Sequence, residues 1–287
     1  MPELPEVEIV KLSLKKSVQF KKISNVIIKN KNLRFKIEKN LKKNVINKLI
    51  NNISRKSKYL IVNFENNEHL LIHFGMSGTL LYVESNNKFK TNLSFYHSKN
   101  LPKKHNHIYF LFNGFEIIYN DPRRFGFIKY FSSNEKLNFF FRNKGPEPLD
   151  GSFKFNYLKE YLKNKNKNIK NFLLDQNFVS GIGNIYASEI LFYSKINPLK
   201  KGKHINNCEI RRIIKNSKYV LNKAIKKGGS TIRDFKSTQG NKGTYQNEFM
   251  VYNRKNKNCK TKKCKQKIIK LVISNRSTFM CKYCQKN

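Results

Sequence analysis

The chain has 287 residues, room for two or three domains and a sizeable core. Lys and Arg number 59 against 18 Asp and Glu, a formal net charge of +41, while hydrophobic residues make up 39% and aromatics 13%. The apolar share fits a folded protein, the charge favours a polyanionic partner, most simply nucleic acid, and the lack of any run near about 18 apolar residues excludes a membrane-spanning helix. Lys, Asn and Ile are heavily used throughout, so part of the charge reads as AT-rich codon drift. The acidic N-terminus carries no basic region followed by an apolar stretch, so a cytoplasmic protein without a signal peptide is expected.

The first residues, Met1-Pro2-Glu3-Leu4-Pro5-Glu6, allow two readings. Pro5 suits the first turn of a helix, and Glu6 and Glu8 suit its positive end. Alternatively, removal of Met1 leaves the secondary amine of Pro2, and an α-amino group with a pKa of about 7.7–8 is partly neutral near pH 7. Such an amine attacks carbonyl or sugar carbons, with Glu3 and Glu6 at hand as acid and orienter. Residues 6–17 predict a helix with Val7, Val10 and Leu14 on one face.

Short segments rich in Ile, Phe, Tyr and Val follow up to about residue 131, among them KYLIVNF, EHLLIHF, HIYFLF and EIIYND. Asn113-Gly114 predicts a two-residue hairpin turn. The segments predict an antiparallel sandwich or barrel carrying the first helix. Residues 134–151, with Gly145-Pro146-Glu147-Pro148, read as a linker. Helical spacing then dominates, and a turn over residues 177–183 gives a helix–turn–helix arrangement. The Gly-, Ser- and Thr-rich stretch 228–245 reads as mobile.

The predicted fold is α+β and multidomain. A β-sandwich with its N-terminal helix fills 1–133 and a helical domain 152–245. A zinc-finger β-hairpin fills 249–287. Cys259-x4-Cys264-x16-Cys281-x2-Cys284 supplies four thiolates that can close around one structural Zn²⁺. Between the pairs, KQKIIKLVISNRSTFM predicts two strands around Ser274-Asn275, with Arg276 near the tip as the functional candidate. Ser180-Gly181-Ile182-Gly183-Asn184 precedes a helix, where Asn184 can cap it or meet a phosphate. Cys208 has no partner nearby in sequence and reads as packed. His105-Asn106-His107 reads as strand-end packing or phosphate contacts.

Five stretches together resemble the bacterial formamidopyrimidine-DNA glycosylases, which remove 8-oxoguanine and ring-opened purines from DNA. They are MPELPEVE, RKSKYL, HFGMSG, DPRRFG and LLDQNFVSGIGNIYASE, and the likeness runs from Pro2 to Cys284. It implies a helix–two-turn–helix domain, a damaged double-stranded DNA partner, a monomer, and work in the bacterial cytoplasm at the nucleoid. Pro2 becomes the Schiff-base nucleophile, Glu3 handles protons, Glu6 positions the N-terminus, and Lys58 binds a phosphate beside the lesion. Met76, Arg123 and Phe125 fill the hole left by a flipped nucleotide. The segment 237–245 aligns with the family's lesion-reading loop. Two departures stand out. The family's first cysteine pair is C-x2-C, two residues shorter than here, and Asn106 replaces an Asp. Endonuclease VIII, which prefers oxidised pyrimidines, typically begins PEGPE and lacks DPRRFG. A catalytically silent, zinc-containing DNA-binding protein fits the composition but leaves Pro2, Glu3, Glu6 and Lys58 unexplained.

Overall fold

A computed structural model describes residues 2–85, 89–94, 99–230 and 243–286. The chain divides into two compact units, Met1–Arg142 with Lys227–Thr244, and Asn143–Lys226 with Tyr245–Asn287.

The first unit begins with helix α1 (Leu4–Val18), entered through Pro5 in its first turn. Its buried stripe contains Val7, Val10, Leu14 and Val18, and it lies against β2 (Ile50–Lys56) and β3 (Tyr59–Phe64). A short helix α2 (Leu41–Val45) follows β1 (Asn25–Ile28). The remaining strands are β4 (His69–His73), β5 (Thr79–Glu84), β6 (Lys90–Asn92), β7 (Asn106–Phe112), β8 (Phe115–Asn120) and β9 (Phe127–Phe131). Two antiparallel sheets result, in the orders β1-β7-β8-β5-β6 and β2-β3-β4-β9. Leu60, Leu70 and Ile72 from one sheet share a core with Leu80, Ile108 and Ile117 from the other. Each fully buried aliphatic side chain there stabilises the fold by about 1.5–3 kcal/mol. This is the expected sandwich, and Asn113-Gly114 makes the expected turn, with Phe112 opposite Phe115 and their rings stacked at 4.7 Å.

The stretch read as a linker is partly folded. Residues Asn134–Phe141 form helix α3, started by Ser133, whose hydroxyl accepts the N–H of Lys136. Leu137 and Phe141 pack against Ile61, Leu71 and Phe127 on the outer face of the four-stranded sheet. That face is apolar and needs a cover, which the Phe-rich run supplies; the first stretch of the first unit runs on to Arg142.

The second unit contains α4 (Phe155–Leu162), α5 (Ile169–Leu174), α6 (Asn184–Tyr193) and α7 (Asn207–Lys226) around their own core. Its hairpin pairs β10 (Ile269–Ile273) with β11 (Arg276–Met280). Ser274 and Asn275 both have positive φ, 47° and 59°, as a tight two-residue turn requires. The hairpin belongs to the same compact unit as the helices. Glu189 of α6 holds the approach to the cysteines. Its buried carboxylate accepts N–H bonds from Met250, Val251 and Tyr252 at 2.8–3.0 Å. Burial pushes its pKa up, opposed by those three donors.

Candidate active site and nucleic-acid interface

Pro2, Glu3 and Glu6 are all buried at the start of α1. The N–H of Glu3 donates to Glu6 Oε2 at 3.0 Å, so the Glu6 carboxylate holds the backbone next to Pro2. Its other oxygen, Oε1, accepts both the N–H and the hydroxyl of Ser230 at 2.9 Å. One carboxylate therefore joins the N-terminal segment to the segment after Gly228-Gly229. Sequence reasoning missed Ser230. The adjoining glycine pair was its only local signal. Of the stretch 237–245 expected to read the lesion, residues 237–242 lie outside the described residues.

Lys58 sits in the turn between β2 and β3, where Lys56 pairs with Tyr59 and Ser57 has φ +57°. It is buried, contrary to the usual habit of lysine in a basic stretch. Glu8 of α1 accepts Arg55 Nε at 2.8 Å, and Arg55 Nη1 donates to the Ser57 carbonyl at 2.8 Å. This relay fastens the Lys58 turn to the helix that carries Glu3 and Glu6. Burial pushes Glu8 up, but the hydrogen bonds and charges of Lys11 and Arg55 outweigh it, leaving its pKa below the ordinary carboxylate value.

Met76 and Phe125, expected in two separate loops, each remain 45% exposed although both are large and apolar. Arg123 is exposed beside them, its guanidinium 4.5 Å from the centre of the Phe125 ring. The loops are locked together underneath. Ser77 Oγ donates to Asp121 Oδ1 at 2.5 Å and accepts the N–H of Arg123 at 3.2 Å. Asp121 Oδ2 accepts the N–H of Gly126 at 2.8 Å. Gly75 has φ +55°, and a Cβ on it would lie 2.4 Å from the carbonyl carbon of Phe125. The two backbones touch because one of them has no side chain. The result is a braced platform with three projecting side chains. His107 and Asn106 are buried at the strand end, with His107 Nε2 2.8 Å from the Asp121 carbonyl oxygen and Asn120 Nδ2 donating to Asn106 Oδ1 at 2.7 Å. That is the packing alternative of the two readings.

In the second unit, Gly183 stands at the N-cap of α6 and Asn184 begins the helix. Asn184 Nδ2 donates to the Ser277 carbonyl at 2.9 Å, so its amide grips β11. Lys170, fully buried, donates from Nζ to Thr278 Oγ1 at 2.6 Å and to the Ser277 carbonyl at 3.2 Å. These bonds seat the hairpin against the helices and leave Arg276 exposed beside the tip. The sequence did not single out Lys170, which looks like any surface lysine in a Lys-rich chain. Cys208 is exposed, not packed.

The Sγ atoms of Cys259, Cys264, Cys281 and Cys284 lie within 4.8 Å of one another, the one potential metal-holding group among the described residues. Cys259 and Cys284 are 3.8 Å apart and Cys264 and Cys281 3.7 Å. A tetrahedron with metal–sulfur bonds of about 2.3 Å has edges of about 3.8 Å. Those two separations fit tetrahedral edges despite the four-residue first spacing, and the remaining pairs lie within 4.8 Å. No helix among the described residues is long and apolar enough to cross a membrane.

Comparisons with known proteins agree with this geometry. The formamidopyrimidine-DNA glycosylase N-terminal domain model matches residues 1–128, and the H2TH domain model of the same family matches 144–236. The formamidopyrimidine-DNA glycosylase of Wolbachia sp. subsp. Drosophila simulans (strain wRi) is 41% identical over 286 residues, 99% of this chain and 100% of that protein. That of Rickettsia bellii (strain OSU 85-389) is 43% identical over the full length of both. A crystal structure of a mutant of the Lactococcus lactis enzyme with Fapy-dG-containing DNA superposes with a TM-score of 0.87 at 32% identity, covering 100% of both chains. A complex of the Lactococcus lactis enzyme with abasic-site-containing DNA gives 0.86 at 32% identity, covering 99% of this chain and 100% of that one. Two family models that together span most of the chain, full-length relatives above 40% identity and a shared fold place this chain in the formamidopyrimidine-DNA glycosylase family.

Proposed function

We propose that the chain excises oxidised purines from double-stranded DNA and then cuts the strand at the resulting abasic site. The observation that carries this reading is the Glu6 carboxylate, which holds the backbone beside Pro2 and Glu3 through the Glu3 N–H and anchors Ser230 through its second oxygen. The neutral Pro2 nitrogen attacks C1′ of the damaged nucleotide. The bond from C1′ to the base breaks, and the electron pair leaves with the base. Glu3 supplies the proton as the base departs and the sugar ring opens. The product is an iminium between Pro2 and C1′. It acidifies the C2′ protons, so loss of one expels the 3′ phosphate, and a second elimination expels the 5′ phosphate. Hydrolysis then frees the amine.

Lys58 holds a phosphate next to the flipped nucleotide. Met76, Arg123 and Phe125 occupy the vacated space, with Arg123 donating to the acceptors of the orphaned cytosine. Arg276 contacts the backbone from the hairpin, and the Asn184 loop adds a helix N-terminus. The four cysteines suit one Zn²⁺, which would hold the hairpin in shape and leave no ligand position open for chemistry. On this reading one chain suffices, and it works in the cytoplasm on the nucleoid.

The test is a paired assay of Glu3→Gln on duplexes containing 8-oxoguanine or an abasic site, with borohydride trapping alongside. Gln keeps the size but cannot give up a carboxylic proton, and a general acid contributes about 10²–10⁴-fold. Excision of 8-oxoguanine should fall by that order while abasic cutting persists, because an abasic sugar already opens to an aldehyde. Equal loss of both activities with binding preserved would make Glu3 part of the amine's activation. No covalent adduct from the unmodified chain would overturn the proposal.

A further inference from the structure

Beside the Arg123–Phe125 platform lies an open groove of about 650 Å³, lined by Asn32, Leu33, Arg34, Arg123, Arg124 and Phe125. Three of its six lining residues are arginines and none is acidic. Its far wall is the turn around residues 31–37, which none of the recognised motifs includes. That turn is fixed to the platform: the N–H of Arg34 donates to the Gly126 carbonyl at 3.1 Å, and Phe35 meets Phe127 edge-on at 5.0 Å. Phe35 is nevertheless 58% exposed. Arg34 stands 5.9 Å from the Phe35 ring, much as Arg123 stands 4.5 Å from Phe125. Of these two arginine–phenylalanine pairs, Arg123, Phe125 and Arg34 line the groove, while Phe35 stands on the same turn as Arg34 and is not part of the lining.

An exposed ring and three like charges do not gather in one groove without cost. Three guanidinium groups around a common space repel one another, and the repulsion is relieved only when an anion enters. Guanidinium groups bind phosphate through paired N–H donors and stack on flat rings, so this lining suits a sugar–phosphate with a base alongside. Direction follows from Arg123. In the proposed function, on which this inference rests, Arg123 meets the base opposite the lesion. The backbone that carries that base belongs to the undamaged strand, and Arg124 and Arg34 line the same groove as Arg123.

We infer that the groove between residues 32–34 and 123–125 is a second DNA subsite, which binds the phosphates of the undamaged strand next to the nucleotide opposite the lesion. Arg34 and Arg124 are its ligands.

The experiment uses the full-length protein, Arg34→Gln and Arg124→Gln variants, and three DNAs carrying an uncleavable abasic analogue. They are a normal duplex, a duplex with neutral methylphosphonate links flanking the opposite nucleotide, and the damaged strand alone. Each variant should bind the normal duplex about tenfold more weakly, as expected for loss of a charge-assisted hydrogen bond. The salt slope should fall by about 0.9 for each phosphate released. The methylphosphonate duplex should weaken the unmodified protein by a similar factor and leave the variants no weaker than before. Binding to the single strand, and trapping on a single-stranded abasic site, should not change. Additive losses on the methylphosphonate duplex would overturn the inference, because the arginines would then act elsewhere. Equal loss on the single strand would overturn it too, by placing the groove on the damaged strand. Failure of the unmodified protein to form an adduct would instead refute the proposed function, so the two failures are distinguishable.

Discussion

Glu6 and Ser230 are 224 residues apart in sequence, yet Glu6 Oε1 accepts both the N–H and the hydroxyl of Ser230 at 2.9 Å. The other oxygen of the same carboxylate holds the Glu3 N–H. Glu6→Ala removes the acceptor for all three donors at a buried site. Each buried donor left without a partner costs about 1–3 kcal/mol. Urea unfolding should show a loss within that range or above it, and borohydride trapping should fall on intact and abasic DNA alike, because Pro2 loses its support. Glu6→Gln keeps one acceptor oxygen and should fall between the two. Trapping by Glu6→Ala at the unmodified level would remove Glu6 from the positioning role.

Gly126 is a packing requirement of the platform. A Cβ at this position would lie 1.8 Å from the Tyr119 hydroxyl and 2.4 Å from the His73 carbonyl oxygen. Gly126→Ala should destabilise the first unit by about 1–3 kcal/mol, as overpacking does elsewhere. Tyr119→Phe in the same chain removes only the first clash, so the double variant should recover part of the loss. Thermal unfolding of the three variants checks this, and an unchanged midpoint for Gly126→Ala would contradict the platform geometry.

The cysteine geometry makes a direct claim about composition. Purified protein should contain one zinc per chain, and Cys259→Ser should lower the zinc content. Cys259 is buried in a small apolar cluster with Phe279 and Cys281, so loss of the metal should also loosen β11 and Arg276. DNA affinity should fall in parallel. Elemental analysis of fully active protein with no zinc would refute the assignment.

The Glu8–Arg55 pair sets an acid-side dependence. The folded pKa of Glu8 lies below its ordinary value of 4.5. A carboxylate shifted that way contributes stability that is fully present above the unfolded pKa and is lost as pH falls through the lowered folded value. Arg55→Gln should cost about 1–3 kcal/mol near pH 7, the scale of a hydrogen bond to a charged group. The difference from the unmodified chain should shrink as pH falls below about 4. Unfolding free energies measured from pH 7 to 3 check the sign. A gap that widens in acid would show that Arg55 acts through another group.

Much of the local architecture can be read from the chain because its cause is local. Asn113-Gly114 and Ser274-Asn275 specify tight turns through the backbone angles that those residues tolerate. Val7, Val10 and Leu14 mark the buried face of α1 by helical spacing alone. The spacing of Cys259, Cys264, Cys281 and Cys284 announces a four-thiol cluster, since two short pairs need only one hairpin to meet. Motif resemblance suggests the roles proposed for Pro2, Glu3 and Lys58, which periodicity does not reveal.

What the tertiary structure decided are contacts between residues far apart in the chain. Ser77 reaches Asp121 across 44 residues, Lys170 reaches Thr278 across 108, and Glu6 reaches Ser230 across 224. No pattern at short range encodes such pairs, because each depends on the whole core forming before its two ends can meet. Helix α3 lay hidden in an apparent linker for the same reason: its Phe141 has a partner only once β3, β4 and β9 have built an apolar outer face. Lys58 and Lys170 are two lysines among many in the sequence. Burial distinguishes them, and burial is a property of the folded chain.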